Sequence, residues 1–248
     1  NPAIEEGQFY LVYQPIFDYR AKRVSKLEAL IRWQHPTLGL LSPVEFIPIS
    51  ESNGSIYELT TWVLKTACNQ CKEYHLLNKS MSISINFSGC VFNQPEISDL
   101  LEKTCIASDV PPSSINLEIT ETTAMAKPEQ AIIILNQLTN KGFTVSIDDF
   151  GTGYSSFSYL TELPVNELKI DKSFLLSMTE NSHKVIKSMI DLAHLLDLKV
   201  VAEGVETREL LDMLNEMSCD FAQGFYIAKP MTIKSLCQWL IIEENYLV

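Results

Sequence analysis

The sequence predicts an α/β fold, a TIM-like (β/α)8 barrel with one antiparallel strand, in which the first two strands form a hairpin. Three observations predict it. Short stretches alternate apolar and polar residues with the period of two that a strand imposes. Helical patterns follow them, and strands alternating with helices make a parallel sheet. The length, 248 residues, suits one such barrel, which takes about 250.

The elements follow in order. Strands are expected over 9–17 and 24–33, joined by only FDYRAKR. That link is too short for a crossover helix, so the two strands must run antiparallel. Helices follow over 43–50 and 57–77, with Asn53-Gly54 as the break between them. The third strand, 81–87, sets Met81, Ile83, Ile85 and Phe87 against Ser82, Ser84 and Asn86. A helix over 95–107 leads to the fourth strand, 115–120, where Asn116, Glu118 and Thr120 form the polar face. The next helix, 128–141, has Pro128 at its start and Gly142 past its end. The fifth strand, 143–148, carries Thr144, Ser146 and Asp148, and Gly151 and Gly153 follow it before a short helix. The sixth, 167–171, carries Lys169 between Leu168 and Ile170, and a helix spans 182–196. The seventh, 198–203, ends in Glu203, with a helix from Thr207. A short eighth strand, 220–223, ends in Gln223, and a closing helix starts at Thr232.

Composition excludes several classes. At 46% hydrophobic and 20% charged, the chain is an ordinary globular domain. Its net charge of -12 argues against gripping a polymeric nucleic acid over a basic surface. No run of about 18 apolar residues marks a membrane span, and no signal peptide is present. One domain over 1–248 is expected, excised from a longer protein because the chain starts at Asn1 rather than Met. The six cysteines lie in apolar segments, and Cys68 and Cys71 read as helix packing rather than a metal pair. A reducing cytoplasm is the matching compartment. The sequons at Asn78 and Asn86 are taken as chance.

The chemistry lies at the strand ends, where barrel enzymes carry their catalytic groups. Glu28, Glu118, Asp148, Asp149 and Glu203 gather at one mouth, with Glu121 nearby. Taken singly, each is a solvated end charge; several strands placing them together is different. Two unit charges about 4 Å apart cost roughly 4 kcal/mol at an effective dielectric of about 20. Either some are protonated or a cation sits among them. Carboxylates with one amide, Asn86, suit Mg2+ or Mn2+ rather than zinc. A bridging Asp would fit two metals about 3.5–4 Å apart. Lys169 is either a salt-bridged barrel lysine or the group that orients or deprotonates a water. Gln223 and Asn86 can hold a water or a substrate oxygen, and Arg32 can pair with a phosphate. The stretch from Asp149 to Ser156 reads as a mobile loop over the site. It lacks the glycine spacing and lysine of a phosphate-binding loop. The four histidines show no ligand spacing.

These motifs resemble the EAL domain, the bacterial cyclic di-GMP phosphodiesterase family. Glu28-Ala29-Leu30 with Ile31-Arg32-Trp33 and His35-Pro36 matches its signature. The resemblance runs nearly end to end, through Tyr13-Gln14-Pro15-Ile16, Phe46-Ile47-Pro48, Glu118-Ile119-Thr120-Glu121, IDDFGTGYSS over 147–156, LKIDKSF over 168–174, AEGVET over 202–207 and Gln223-Gly224-Phe225. It implies metal ligands at Glu28, Asn86, Glu118, Asp148, Asp149 and Glu203, holding two Mg2+ or Mn2+ ions. It implies a catalytic lysine at Lys169, a loop-holding glutamate at Glu121 and a catalytic contribution from Gln223. Substrate contacts map onto Gln14, Leu30, Arg32, Pro43 and Gln223, with Phe225 and Pro230 beside them. Phe87, Ser50, Ser218 and Phe225 depart from the family pattern, and Ser218 is expected to alter the loop before the eighth strand.

The resemblance implies a metal-dependent hydrolase that converts cyclic di-GMP to linear pGpG in bacterial signalling, as a homodimer without membrane contact through this segment. Two other readings compete. A module that binds the nucleotide without cleaving it would have lost a metal ligand or the lysine, and neither is lost. A one-metal enolate enzyme does not account for the pair Asp148-Asp149.

Overall fold

The short link after the first strand has the consequence its length requires. The computed structural model describes residues 2–77, 81–94, 96–153, 157–176 and 180–242. Its strands are β1 (Phe9–Asp18), β2 (Arg23–His35), β3 (Gly39–Leu41), β4 (Ser82–Asn86), β5 (Ile115–Thr120), β6 (Thr144–Phe150), β7 (Glu167–Ile170), β8 (Lys199–Glu203) and β9 (Phe221–Gln223). β1 pairs antiparallel with β2 on one side and with β9 on the other. From β2 through β4 to β9 every neighbouring pair is parallel. The result is a closed barrel of eight strands with β1 reversed, and β3 as an extra edge strand.

The alternation sorts side chains as expected. Ile83, Ile85, Leu117, Ile119, Val145, Ile147, Leu168, Ile170, Val200 and Ala202 are buried beneath the outer helices. Leu64 and Ala67 of helix Ile56–Leu77, Leu101 of Ile97–Ser108, Leu135 and Leu138 of Pro128–Asn140, Ile186 and Ile190 of Glu180–Leu195, and Leu214 of Arg208–Glu216 meet them. Full burial of each large apolar side chain contributes about 1.5–3 kcal/mol. Ile16, Val201 and Phe221 form a separate small cluster on the inward faces.

Four differences from the sequence reading have physical reasons. β2 runs on to His35 and turns back into β3, pairing Trp33 with Leu41 and His35 with Gly39; three residues are too few to show an alternation. β6 does not end at Asp148 but continues to Phe150 through a register shift against β7. The short helices Pro2–Glu5, Gly89–Phe92, Glu121–Ala126 and Ser173–Leu176 were not anticipated, since one turn carries no periodic signal. Ser218 takes the left-handed backbone, φ 63, that a glycine would take, so the turn before β9 is formed with serine in place. The sequon at Asn78, the loop residues Tyr154 to Ser156 and the Cys71 side chain lie outside the described residues. Cys68 is buried, and its thiol hydrogen-bonds with that of Cys105. Among the described residues no helix is long and apolar enough to cross a membrane.

Candidate active site

The inward polar residues stand in layers that run across register. In register, Glu28 lies opposite Ser84, Asn86 opposite Glu118, Glu118 opposite Ser146, and Ser146 opposite Glu167. Strands of a barrel are sheared in this way. The shear brings Glu28, Glu118, Asp148, Lys169 and Glu203 together from five strands.

Lys169 is the hub. It is 1% exposed, and its Nζ lies 2.7 Å from Glu203 Oε1, 2.9 Å from Glu118 Oε2, 3.4 Å from Asp148 Oδ1 and 4.0 Å from Glu28 Oε1. A chain of amides orients Glu28. Asn86 Nδ2 donates to its Oε1 at 2.7 Å, and Gln223 Nε2 donates to its Oε2 at 2.6 Å. Gln223 Nε2 also reaches Gln14 Oε1 at 3.3 Å, while Gln14 Nε2 donates to the Ala228 carbonyl at 3.2 Å. The turn beyond β9 requires Gly224, because a Cβ there would come 2.1 Å from the Val205 carbonyl oxygen.

The electrostatics are lopsided. Burial alone disfavours the Lys169 ammonium, but Glu118, Glu28, Glu203 and Asp148 overturn that and hold its pKa well above the usual lysine value. Burial drives Glu118 well above the usual carboxyl range; Lys169 opposes this, while Glu28 and Asp148 add to it. Burial raises Glu203 to about 7, again with Lys169 opposing and Asp148 and Glu28 reinforcing. Asp149 is raised by burial and then by Asp148 and Asp171. One lysine does not neutralise this many acids.

The donor set fits hard divalent cations in type, being carboxylate oxygens and an amide. Among the described residues Glu118 Oε1 is buried with no hydrogen-bond partner, an acceptor a cation would satisfy. Among the described residues, however, no three acids converge as metal ligands. The Lys169 ammonium occupies the space between them, and the Asn86 amide turns its nitrogen to Glu28. The residues fit a metal site once that ammonium yields one side of the cluster and the amide turns over.

Asp149 reaches the site through the bulge. Its φ of 55 breaks the alternation, so adjacent aspartates both border the mouth. Such a conformation in a residue with a Cβ is strained and clusters at functional sites. Glu121, 2% exposed, accepts a hydrogen bond from the Gly151 amide at Oε2, 2.8 Å away. Gly151, at φ 92, has no room for a Cβ, which would meet Met189 Cε at 2.7 Å. Glu121 thus holds the loop that follows Asp149, and its charge also acts on Asp149.

The expected substrate contacts are spread around the rim. Arg32 is half-buried, and burial lowers its pKa, with Tyr10 and Glu28 opposing. Its Nη1 donates to the Ile31 carbonyl at 2.8 Å, which leaves further guanidinium donors for a ligand. Leu30 and Pro43 line a cavity beside Asn86. Phe225 is 56% exposed, with Lys229 Nζ 5.6 Å from its ring centre. It and Pro230 follow β9 in the chain. Sequence reasoning missed Glu51, which accepts a bond from Ser88 Oγ at 2.6 Å. It also missed Tyr10, the cross-strand neighbour of Arg32. Neither sits in a strand-end pattern; strand register alone could have paired Tyr10 with Arg32.

Comparison with known proteins gives a consistent result. The EAL domain family matches residues 1–230. The chain is 37% identical over 241 residues to the cyclic di-GMP phosphodiesterase NbdA of Pseudomonas aeruginosa, covering 96% of this chain and 31% of that protein. It spans about a third of the length of such curated relatives. Among solved structures, the PaMucR phosphodiesterase in complex with c-di-GMP matches with a TM-score of 0.90 at 37% identity, covering 94% of this chain and 96% of that one. The EAL enzyme Bd1971, with cAMP and cyclic-di-GMP bound, matches with a TM-score of 0.90 at 35% identity, covering 96% and 66%. Motifs, barrel and matches agree, and the chain belongs to the EAL domain family.

Proposed function

We propose that this domain hydrolyses cyclic di-GMP to linear pGpG in bacterial second-messenger signalling. The observation that carries the proposal is the cluster of Glu28, Glu118, Asp148 and Glu203 around Lys169 Nζ, in a family whose relatives are named for this activity. Glu28, Asn86, Glu118, Asp148, Asp149 and Glu203 would hold two Mg2+ or Mn2+ ions. When bound, such cations lower the pKa of a water towards about 7 and absorb charge on the phosphate.

The chain's own residues do the rest. In the metal-free domain Glu118, Glu28, Glu203 and Asp148 hold the Lys169 pKa above the usual lysine value. Beside bound cations, which would reverse that field, Lys169 would orient or deprotonate the attacking water. The oxygen of the attacking water bonds to phosphorus as the water gives up a proton, the bond from phosphorus to the 3′ oxygen breaks, and the 3′ oxygen takes up a proton to leave as a hydroxyl, giving the 5′-phosphate of pGpG. Arg32 binds a phosphate with its spare donors. Gln223 and Asn86 keep Glu28 turned inward, and Glu121 holds the loop that aims Asp149. Leu30, Pro43, Phe225 and Pro230 flank the bases, and Gln14 fixes Gln223. By the family resemblance the domain works as a homodimer in the cytoplasm. Incubation of the domain with cyclic di-GMP and Mg2+ or Mn2+, followed by nucleotide separation, tests this. The expected product is pGpG; binding without product would make the domain a sensor instead.

A further inference from the structure

Beside the acid cluster lies a cavity of about 580 Å3, bordered by β2 and the helices Pro43–Ser52 and Ile56–Leu77, with Asn86 and Asp149 in its lining. Ligand pockets run to about 300–1,000 Å3 and are mostly apolar with a few placed polar groups. Here Leu30, Pro43, Ile47 and Val63 supply apolar wall, and Glu51 supplies a carboxylate. Ser88 Oγ donates to Glu51 Oε1 at 2.6 Å and so fixes the carboxylate's orientation. Glu51 Oε2 has no partner among the described residues. A half-buried carboxylate with one oxygen anchored by Ser88 and the other open to the cavity can accept donors from an occupant.

Building on the proposed phosphodiesterase activity, we infer that Glu51 reads the Watson–Crick edge of one guanine of the substrate. Guanine presents two adjacent donors there, N1–H and the 2-amino group. Glu51 Oε2 accepts one, and Oε1, which keeps a lone pair beyond the Ser88 bond, accepts the other. Leu30 and Pro43 lie against the ring faces. Adenine offers an acceptor at N1 and would set it against the carboxylate. Glu51 is then a specificity-determining residue, remote from the reacting phosphorus.

The test uses the metal-supplemented domain with cyclic di-GMP and with cyclic di-IMP, the inosine analogue that lacks the 2-amino groups. Wild type is expected to favour cyclic di-GMP by about tenfold or more in kcat/KM, the effect of one hydrogen bond to a charged group. Glu51→Gln keeps the side-chain shape and can keep the Ser88 bond, but it turns the second acceptor into a donor facing donors. It should raise KM for cyclic di-GMP by about 10–100-fold, hold kcat nearly constant, and bring the preference over the inosine analogue towards unity. An unchanged KM with an unchanged preference overturns the inference. If the variant is destabilised, the preference still decides, because a ratio within one protein cancels the folded fraction. A wild type that neither binds nor cleaves cyclic di-GMP overturns the functional reading itself, and this inference with it.

Discussion

Two polar layers cross the barrel interior, and they are balanced differently. In the lower one, Asn116 Nδ2 donates to Ser84 Oγ at 2.9 Å and Ser146 Oγ at 2.7 Å, and Ser146 Oγ donates to Glu167 Oε1 at 2.9 Å. Glu167 pairs with Lys26, whose Nζ also lies 3.8 Å from the centre of the Phe221 ring. One acid there meets one base, with neutral groups between. In the upper layer four acids crowd one lysine, and Glu118 Oε1 has no partner among the described residues. The lower layer is the arrangement folding alone favours, since a buried charge is tolerable when paired and hydrogen-bonded. The upper layer sacrifices stability at comparable depth, as sites built for a ligand commonly do. The difference between the layers therefore locates function more sharply than burial or polarity does.

The contrast can be broken most forcefully at the upper layer. Thorough chelation should reduce turnover to background and Mn2+ should restore it, while Glu28→Ala should stay inactive with metal present and remain folded. Undiminished turnover after chelation would sink the metal mechanism. Next in size, Lys169→Ala should lower kcat by about 10²–10⁴-fold, with cyclic di-GMP still bound when measured by calorimetry. Equal rates would return Lys169 to a purely structural role.

The lower layer should respond in stability instead. Glu167→Gln leaves Lys26 without its counter-charge and should cost about 1–3 kcal/mol in denaturant unfolding, with kcat per folded molecule unchanged. Glu118→Gln should do the reverse, raising the Tm of the metal-free protein while abolishing turnover. Two variants moving Tm in the same direction would erase the distinction between the layers.

The smallest expected effect is a pH slope. Glu203 sits at about 7 in the folded, metal-free protein against an ordinary 4.5. The fold therefore favours its protonated form. Its contribution to stability is full below about 4.5 and is lost as pH rises through about 7. Melting curves of wild type and Glu203→Gln across that window should diverge, with wild type losing Tm relative to the variant as pH rises. Bound Mn2+ should remove the divergence, because it favours the ionised carboxylate. Parallel curves without metal would mean that Glu203 is ordinarily solvated.

The sequence by itself determined the eight barrel strands, the reversed first strand, and most of the residues that meet at the mouth. These are local properties. A period of two shows which face a residue takes, and a link as short as FDYRAKR leaves no room for a crossover. The chain-long motifs likewise pointed to the family before any geometry was at hand. Only the tertiary structure decided which carboxylates Lys169 touches, because the barrel's shear sets neighbours across strands and register cannot be read from one strand. It decided that Asp149 enters through a left-handed bulge, since local strain is sustained by surrounding contacts. It decided that Lys26 meets Glu167 across 141 positions of sequence, and that Glu51 meets Ser88 across 37. Contacts at such separations depend on how the whole chain packs, and no periodicity within a single element encodes them.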